Sequence, residues 1–470
     1  MTRRRFRFGL RIRSLAGFGR IERLMHSEEL RPVRNAGLLQ LRQVVIAAVD
    51  LIALRFVLSA LGEVEYGVFS AVTGVVTSLA LLHGILQTLA LRFLSVGFAR
   101  GEGKPLSKAF ASVFCLVLAA GTLMAVLGEA AFLPFVEGRM AFPDEMRSLV
   151  PWVFRIALAT IVLQTFQLPF VALMVASEKL GFLLKTTAID VLVALASSGF
   201  VILWRPTGVI GYAAALCLGS SVLLAVYAVH CRRAHPEIRF VSGCRLSELR
   251  EQGGFFLWSL LSTGANTLKY QGVGVLVNLY AGILSSASWG VAMKVGFGFG
   301  LVIGNFQQGF QPKLVRLWRA NDREGFWRLT ASALRWTFLM AALLTLPLVL
   351  WPHRALACWL GPCSLPDVEK VVAVIAVHYL VDALTGPLTT AIVATGRIAR
   401  YQVGVSLAMG SGFFFAWLAL ALGCPVWTAA AAVAFANLLS LVQRLVYMRN
   451  CMGLAFGRFL RQVLLPHDAD

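Results

Sequence analysis

A chain of 470 residues that is 58% hydrophobic, only 14% charged and has a mean hydropathy of +0.75 cannot fold as a water-soluble domain, whose surface needs more charge. Its formal net charge is nevertheless +20, so the sparse charges are mainly Arg and Lys, the balance of a membrane protein whose basic loops are held against anionic lipid on the cytoplasmic side. Nucleic-acid binding, the other reading of a pI near 10.3, is set aside because the basic residues lie scattered between apolar spans and form no patch with interleaved aromatics.

In chain order, residues 1–35 form a basic tail with Arg3, Arg4, Arg5, Arg7, Arg11 and Arg13 but no apolar core of signal-peptide length. It reads as a cytoplasmic tail or as an over-extended start with translation beginning at Met25. An organellar transit peptide shares its Arg-rich, acid-poor composition. Apolar stretches long enough to cross hydrocarbon follow near 37–60, 66–95, 109–130, 149–176, 186–204 and 209–230. A polar linker, 231–252, precedes a second set near 254–280, 286–312, 329–351, 371–396, 401–423 and 427–447. The expected fold is therefore an all-α integral membrane protein of about 12 transmembrane helices in two six-helix bundles, 36–230 and 253–447, with a tail over 448–470. Placing both termini in the cytoplasm puts most Lys and Arg on the inner side, as the positive-inside rule requires. The longest outer connections, 131–147 and 352–369, are too small for a folded catalytic domain. Cys358 and Cys363 share the second of these, where an oxidising compartment permits a disulfide, although two free thiols are the expectation.

The halves repeat. Leu168-Pro169 and Val175-Ala176-Ser177 in the fourth span are echoed by Gly386-Pro387 and Val393-Ala394-Thr395 in the tenth, and Tyr66-Gly67 is echoed by Trp289-Gly290. Two bundles of like topology imply a pseudo-two-fold axis along the membrane normal and a site between them near mid-depth.

Charge inside hydrocarbon costs at least ~2.5 kcal/mol per group, so each polar residue there needs a reason. Thr160, Gln164 and Gln167 share one face of the fourth span, and the offset that carries Pro169 onto Pro387 carries them onto His378, Asp382 and Thr385. His378 and Asp382, one turn apart, read either as a proton-sensitive pair or as a hydrogen-bonded packing pair. On the seventh and eighth spans Lys269, Gln271, Lys294, Asn305 and Gln308 are candidates, with Lys269 and Lys294 the costly ones. In the first half the candidates are Arg42, Asp50 and Arg55, then His83, Gln87 and Arg92, then Arg155, of which Arg42, Arg92 and Arg155 lie near span ends and can snorkel. A cavity richer in Arg and Lys than in carboxylate suits an anionic substrate, since guanidinium holds phosphate oxygens in pairs. Asp50 weakens that contrast.

The run from Arg55 to Gly62 followed by Tyr66-Gly67-Val68-Phe69 resembles the first-to-second helix signature of polysaccharide-export proteins in the multidrug/oligosaccharidyl-lipid/polysaccharide flippase superfamily. So do Leu168-Pro169 through Glu178-Lys179, the central basic run Cys231 to Glu237, and Tyr270-Gln271-Gly272 through Asn278-Leu279. The resemblance covers most of residues 35–450. It implies a fold like that of the multidrug and toxic compound extrusion transporters in a bacterial inner membrane, and movement of a lipid-linked anionic oligosaccharide during lipopolysaccharide or surface-polysaccharide assembly, with other proteins of that assembly as candidate partners. By position Arg42, Arg55, Arg92 and Lys294 match the basic residues thought to hold the pyrophosphate-sugar head in such relatives, with Lys269, Gln164, Gln271 and Gln308 beside them. The Arg-rich segment before residue 25 departs from the pattern.

No Walker-type nucleotide loop occurs, and no cofactor or metal is called for, so energy must come from an ion gradient, the membrane potential or substrate removal, with Asp50, His378 and Asp382 the coupling candidates. A multidrug cation antiporter on the same fold is the alternative, served by Asp50 and Asp382. A membrane glycosyltransferase, polymerase or ligase is disfavoured because the small outer loops leave no room for a preorganised catalytic site.

Overall fold

The computed structural model describes residues 31–99, 104–177, 180–204, 207–236, 238, 253–361, 365–396 and 399–464. Among these every regular element is helical. Helix α1 spans Arg31–Ser78 and α2 Ala80–Ala99; α3 spans Lys104–Leu127 and runs through a π-helical turn, Gly128–Phe132, into the short α4, Leu133–Arg139. Then come α5 (Val150–Ala176), α6 (Leu180–Leu203) and α7 (Gly208–Ala234). The second half opens with α8 (Gly253–Thr267), continuous through a π-turn at Leu268–Gly272 with α9 (Val273–Gln308). It continues with α10 (Gln311–Arg319), α11 (Arg323–Leu350), α12 (Pro352–Leu360), α13 (Val368–Ala394), α14 (Ala399–Ala421), α15 (Trp427–Met452) and α16 (Phe456–Leu464).

Eleven helical stretches are long and apolar enough to cross a membrane. Two of them fold back on themselves. At Gly62 (φ 76°, ψ 174°) and at Gly282 (φ 80°, ψ −171°) the backbone takes a conformation that only glycine adopts cheaply, and the chain reverses without a single loop residue. Cut at these bends and rejoined across the one-residue interruption at Leu79, the eleven stretches become the twelve rods expected from the sequence. The bends are equivalent positions of the two halves. They therefore set Tyr66-Gly67 opposite Ser286-Ala287, one helical turn away from the Trp289-Gly290 pairing that residue likeness suggests.

Elsewhere the repeat is kept in register. Helices α5 and α13 have the same length, 27 residues, with Pro169 and Pro387 at the same place inside each. Short proline-initiated helices, α4 and α12, follow the third and ninth rods in the same way.

The cores show how the bundles meet. Toward the bends, which we call the outer side, the apolar clusters are shared: Leu54, Val57, Leu58 and Tyr66 bury against Val371, Val372, Ile375 and Tyr379, and Val275, Leu279 and Ile283 join a cluster otherwise drawn from the first half. On the inner side, where both described chain ends lie, each bundle keeps its own cluster, one around Leu94, Leu106, Phe110 and Leu173, the other around Leu314, Phe326, Leu388 and Tyr401. There the halves approach through small residues, with Gly84 near Thr263 and Gly264 near Leu81.

Polar contacts reinforce the outer closure. Asn278 accepts from the Ala141 amide at 3.0 Å and donates to the Ala141 carbonyl at 3.3 Å; Ser70 Oγ donates to the Ser286 carbonyl at 3.1 Å. Arg55 donates to the Cys358 carbonyl at 3.4 Å, and deeper, next to mid-depth, the Trp359 indole donates to the Leu51 carbonyl at 3.0 Å.

Candidate functional site

Asp50 lies twelve residues before the bend at Gly62, and Lys294 twelve residues after the bend at Gly282. At 1.5 Å of rise per residue both sit roughly 18 Å from the outer end, at mid-depth. They meet there across the two bundles, Lys294 Nζ 3.9 Å from Asp50 Oδ2, with side chains 45% and 43% exposed. The pair therefore joins the two bundles without being buried between them. Lys294 also lines a groove between the second, seventh and eighth rods, with Gln271, Thr73, Thr77, Trp289 and Phe297 among its walls. The threonine hydroxyls donate back into their own helix, Thr73 to Phe69 and Thr77 to Thr73, so toward the groove they offer acceptor oxygens, while Lys294 and Gln271 offer donors. Aromatic faces complete a wall suited to a polar ring with an anionic group attached.

A second cluster, in the second bundle alone, joins Lys269, His378 and Asp382. The π-turn at Leu268–Gly272 widens the helix by one residue and turns Lys269 into the bundle, where it is 1% exposed and its ammonium stands 4.4 Å from the Tyr270 ring centroid. Tyr270 OH and His378 Nε2 lie 2.9 Å apart. Asp382 accepts from Asn437 Nδ2 and Thr385 Oγ1, each at 3.2 Å. Ser440 carries the network from Asn437 to Arg444, whose guanidinium donates to Ser440 at 2.6 Å, Thr389 at 2.8 Å and Tyr401 at 3.0 Å. Lys269, expected to hold substrate, is thus sealed beside the residues expected to couple ions.

Arg42, also expected to hold substrate, is engaged otherwise: it pairs with Asp190 at 2.8 Å and donates to Tyr227 OH at 3.3 Å, tying the first rod to α6 and α7. Asp190 was legible as a lone acid inside an apolar run, yet without a partner in sequence its role could not be assigned. Arg55 serves the outer closure through Cys358. Arg92 and Gln87 are exposed on α2, Gln164 is exposed on α5, and the Gln308 side chain and Cys363 lie outside the described residues. His83 Nδ1 lies 3.2 Å from Thr165 Oγ1, Gln167 donates to the Ser220 carbonyl at 3.0 Å, and Arg155 pairs with Glu129 at 3.2 Å.

The arrangement is thus two six-rod bundles in pseudo-two-fold relation, joined at the outer side over a mid-depth polar groove. Three solved structures share it with this chain at 14% identity. A multidrug resistance MATE family transporter in an inward-facing conformation matches with a TM-score of 0.63, over 90% of this chain and 95% of its own. The lipid II flippase MurJ in an inward closed conformation also matches at 0.63, over 90% and 89%. The MATE multidrug transporter DinF-BH, solved as a ligand complex, matches at 0.62, over 91% and 96%. No family model matches the sequence, and no curated protein matches it. At this identity the likeness concerns the fold.

Proposed function

We propose that this chain is a flippase that moves a lipid-linked, polyprenyl-pyrophosphate oligosaccharide across a cytoplasmic membrane by alternating access, for surface-polysaccharide assembly. The observation that carries the reading is the Asp50–Lys294 pair, formed across the two bundles at mid-depth and half exposed. An ammonium in low-dielectric surroundings attracts phosphate strongly, and arrival of an anionic head would compete with Asp50 for Lys294. The groove's aromatic faces and acceptor oxygens suit the sugars, while the acyl tail stays in lipid. Arg92 extends this positive lining toward the inner side; Arg42 and Arg55 hold helices in place. His378, Asp382 and Lys269 form the coupling set, apart from the Asp50–Lys294 pair.

Asp50 itself favours a second reading, a cation antiporter in which the carboxylate takes the substrate and Lys294 is its resting partner; DinF-BH, a multidrug transporter, gives that reading a relative of the same fold. The two are separated in proteoliposomes. Lys294→Gln should abolish translocation of a fluorescent lipid-pyrophosphate-oligosaccharide while Asp50→Asn retains it. Efflux of organic cations by the wild type, lost in Asp50→Asn and kept in Lys294→Gln, would establish the antiporter instead.

A further inference from the structure

Two of the short helices, α10 and α16, lie together on the inner face of the second bundle. In α16 Phe459 and Val463 turn inward, Phe456 and Leu460 remain 49% and 44% exposed beside them, and Arg458, Arg461 and Gln462 occupy the opposite face. In α10 Lys313, Arg316 and Arg319 line one exposed edge while Leu314 is buried. Helices with a wide apolar face and a basic one lie in the plane of a membrane surface. Its position agrees: α16 begins just after the twelfth rod ends and packs on the first turns of α11, at the inner end of the bundle.

The two helices are locked together. An aromatic ladder runs from Trp318 in α10 to Phe326 (5.0 Å), Trp327 (5.1 Å) and Phe459 in α16 (6.1 Å). Arg323 is held against it, its guanidinium 3.5 Å from the Trp318 ring and its Nε donating to Asn321 at 3.1 Å. Between α11 and α16 an open cavity is lined by Arg323, Trp327, Arg458 and Gln462. Glu324 also lines it, but Arg328 engages that carboxylate at 3.1 Å. Gln462 Oε1 is buried without a hydrogen-bond partner among the described residues, an acceptor waiting for a donor.

We infer that this cavity binds the headgroup of an anionic glycerophospholipid, its phosphate between Arg323 and Arg458 and a headgroup hydroxyl donating to Gln462 Oε1, with the acyl chains beside Phe456 and Leu460. A phosphate alone would leave Gln462 unpaired, so the chemistry points to a phosphate bearing a hydroxylated substituent, as in phosphatidylglycerol. The site is independent of what the transporter carries, and it anchors the inner end of the second bundle to the leaflet while the bundles move.

The test uses the full chain in nanodiscs and quantifies lipids retained after mild detergent extraction by native mass spectrometry, with phosphatidylglycerol, phosphatidic acid and phosphatidylcholine as probes. An arginine near an anionic surface contributes about 1 kcal/mol, or about fivefold, so Arg323→Gln with Arg458→Gln should lower phosphatidylglycerol retention about thirtyfold. Lys108→Gln with Lys185→Gln, the same charge change on the first bundle, should leave it unchanged. Gln462→Leu should erase the preference for phosphatidylglycerol over phosphatidic acid while keeping both above phosphatidylcholine. Equal losses in the two double variants, or retention in the first, overturns the site, and an unchanged preference in Gln462→Leu overturns the headgroup assignment. Lipid-free melting of each variant at the wild-type temperature excludes misfolding as the cause.

Discussion

At the scale of single residues, the intramembrane charges divide into those with a partner inside one bundle and those shared between bundles. Arg42 belongs to the first kind: with Asp190 at 2.8 Å and side chains 14% and 19% exposed, it is a largely buried pair. Breaking such a pair leaves one uncompensated charge, which costs more than the pair contributes. Arg42→Ala should therefore destabilise the protein by about 3 kcal/mol, seen as a lower melting temperature in detergent. Arg42→Met combined with Asp190→Leu should restore most of it, and translocation with it. A substrate ligand would behave differently, because the double variant would be stable and inactive. His378→Ala tests the second bundle in the same spirit: it removes the imidazole partner of Tyr270 OH, and the loss of one buried hydrogen bond should cost about 1 kcal/mol, with melting of the variant as the readout.

At the scale of elements, the two zero-residue reversals are the features most sensitive to substitution. A methyl group built on Gly62 or Gly282 meets nothing within 4 Å, so any penalty for alanine comes from the backbone alone. With φ near 76° and 80° and extended ψ, that penalty is about 1 to 3 kcal/mol at each position. Gly62→Ala and Gly282→Ala should each lower the melting temperature to a similar degree, whereas Gly410→Ala, inside α14 and equally open, should leave it unchanged or raise it slightly. Equal penalties in the two halves would also confirm by measurement that the bends are equivalent. The π-turn at Leu268–Gly272 is the other element with a consequence, since it points Lys269 into the second bundle; a separate π-turn at Gly128–Phe132, at a non-equivalent place in the repeat, carries Glu129, which pairs with Arg155.

At the scale of the molecule, a shared outer core and separate inner cores describe a state closed outside, with each bundle self-supporting inside. Alternating access requires the outer contacts to part. Arg55 of the first bundle touches the backbone of Cys358 in the second, so Arg55→Cys paired with the native Cys358, all other cysteines replaced, should link through a short bis-maleimide. The link should hold the outer closure and stop translocation, and a cleavable linker should restore it on cleavage. Continued transport by the linked protein would mean that the outer contacts do not open in the cycle.

Composition, span lengths and the Pro169/Pro387 repeat were enough to determine an all-helical membrane protein in two like halves, because hydrocarbon admits few architectures and helix periodicity is local. The same periodicity placed His378, Asp382 and Thr385 on one face, and the structure gathers His378 and Asp382 into one network with Asn437. Which charges meet is a different matter, since it depends on rods far apart in sequence. Arg42 and Lys269 were both expected in a substrate cavity; the structure sets Arg42 against Asp190 and buries Lys269 inside the second bundle at a one-residue bulge that no periodicity reveals. Likewise α10 and α16 are too short to register as apolar spans, and only their packing against α11 shows them to be a built inner surface. Only the tertiary structure could bring Asp50 and Lys294 together, because that contact forms between bundles whose relative placement no local pattern encodes.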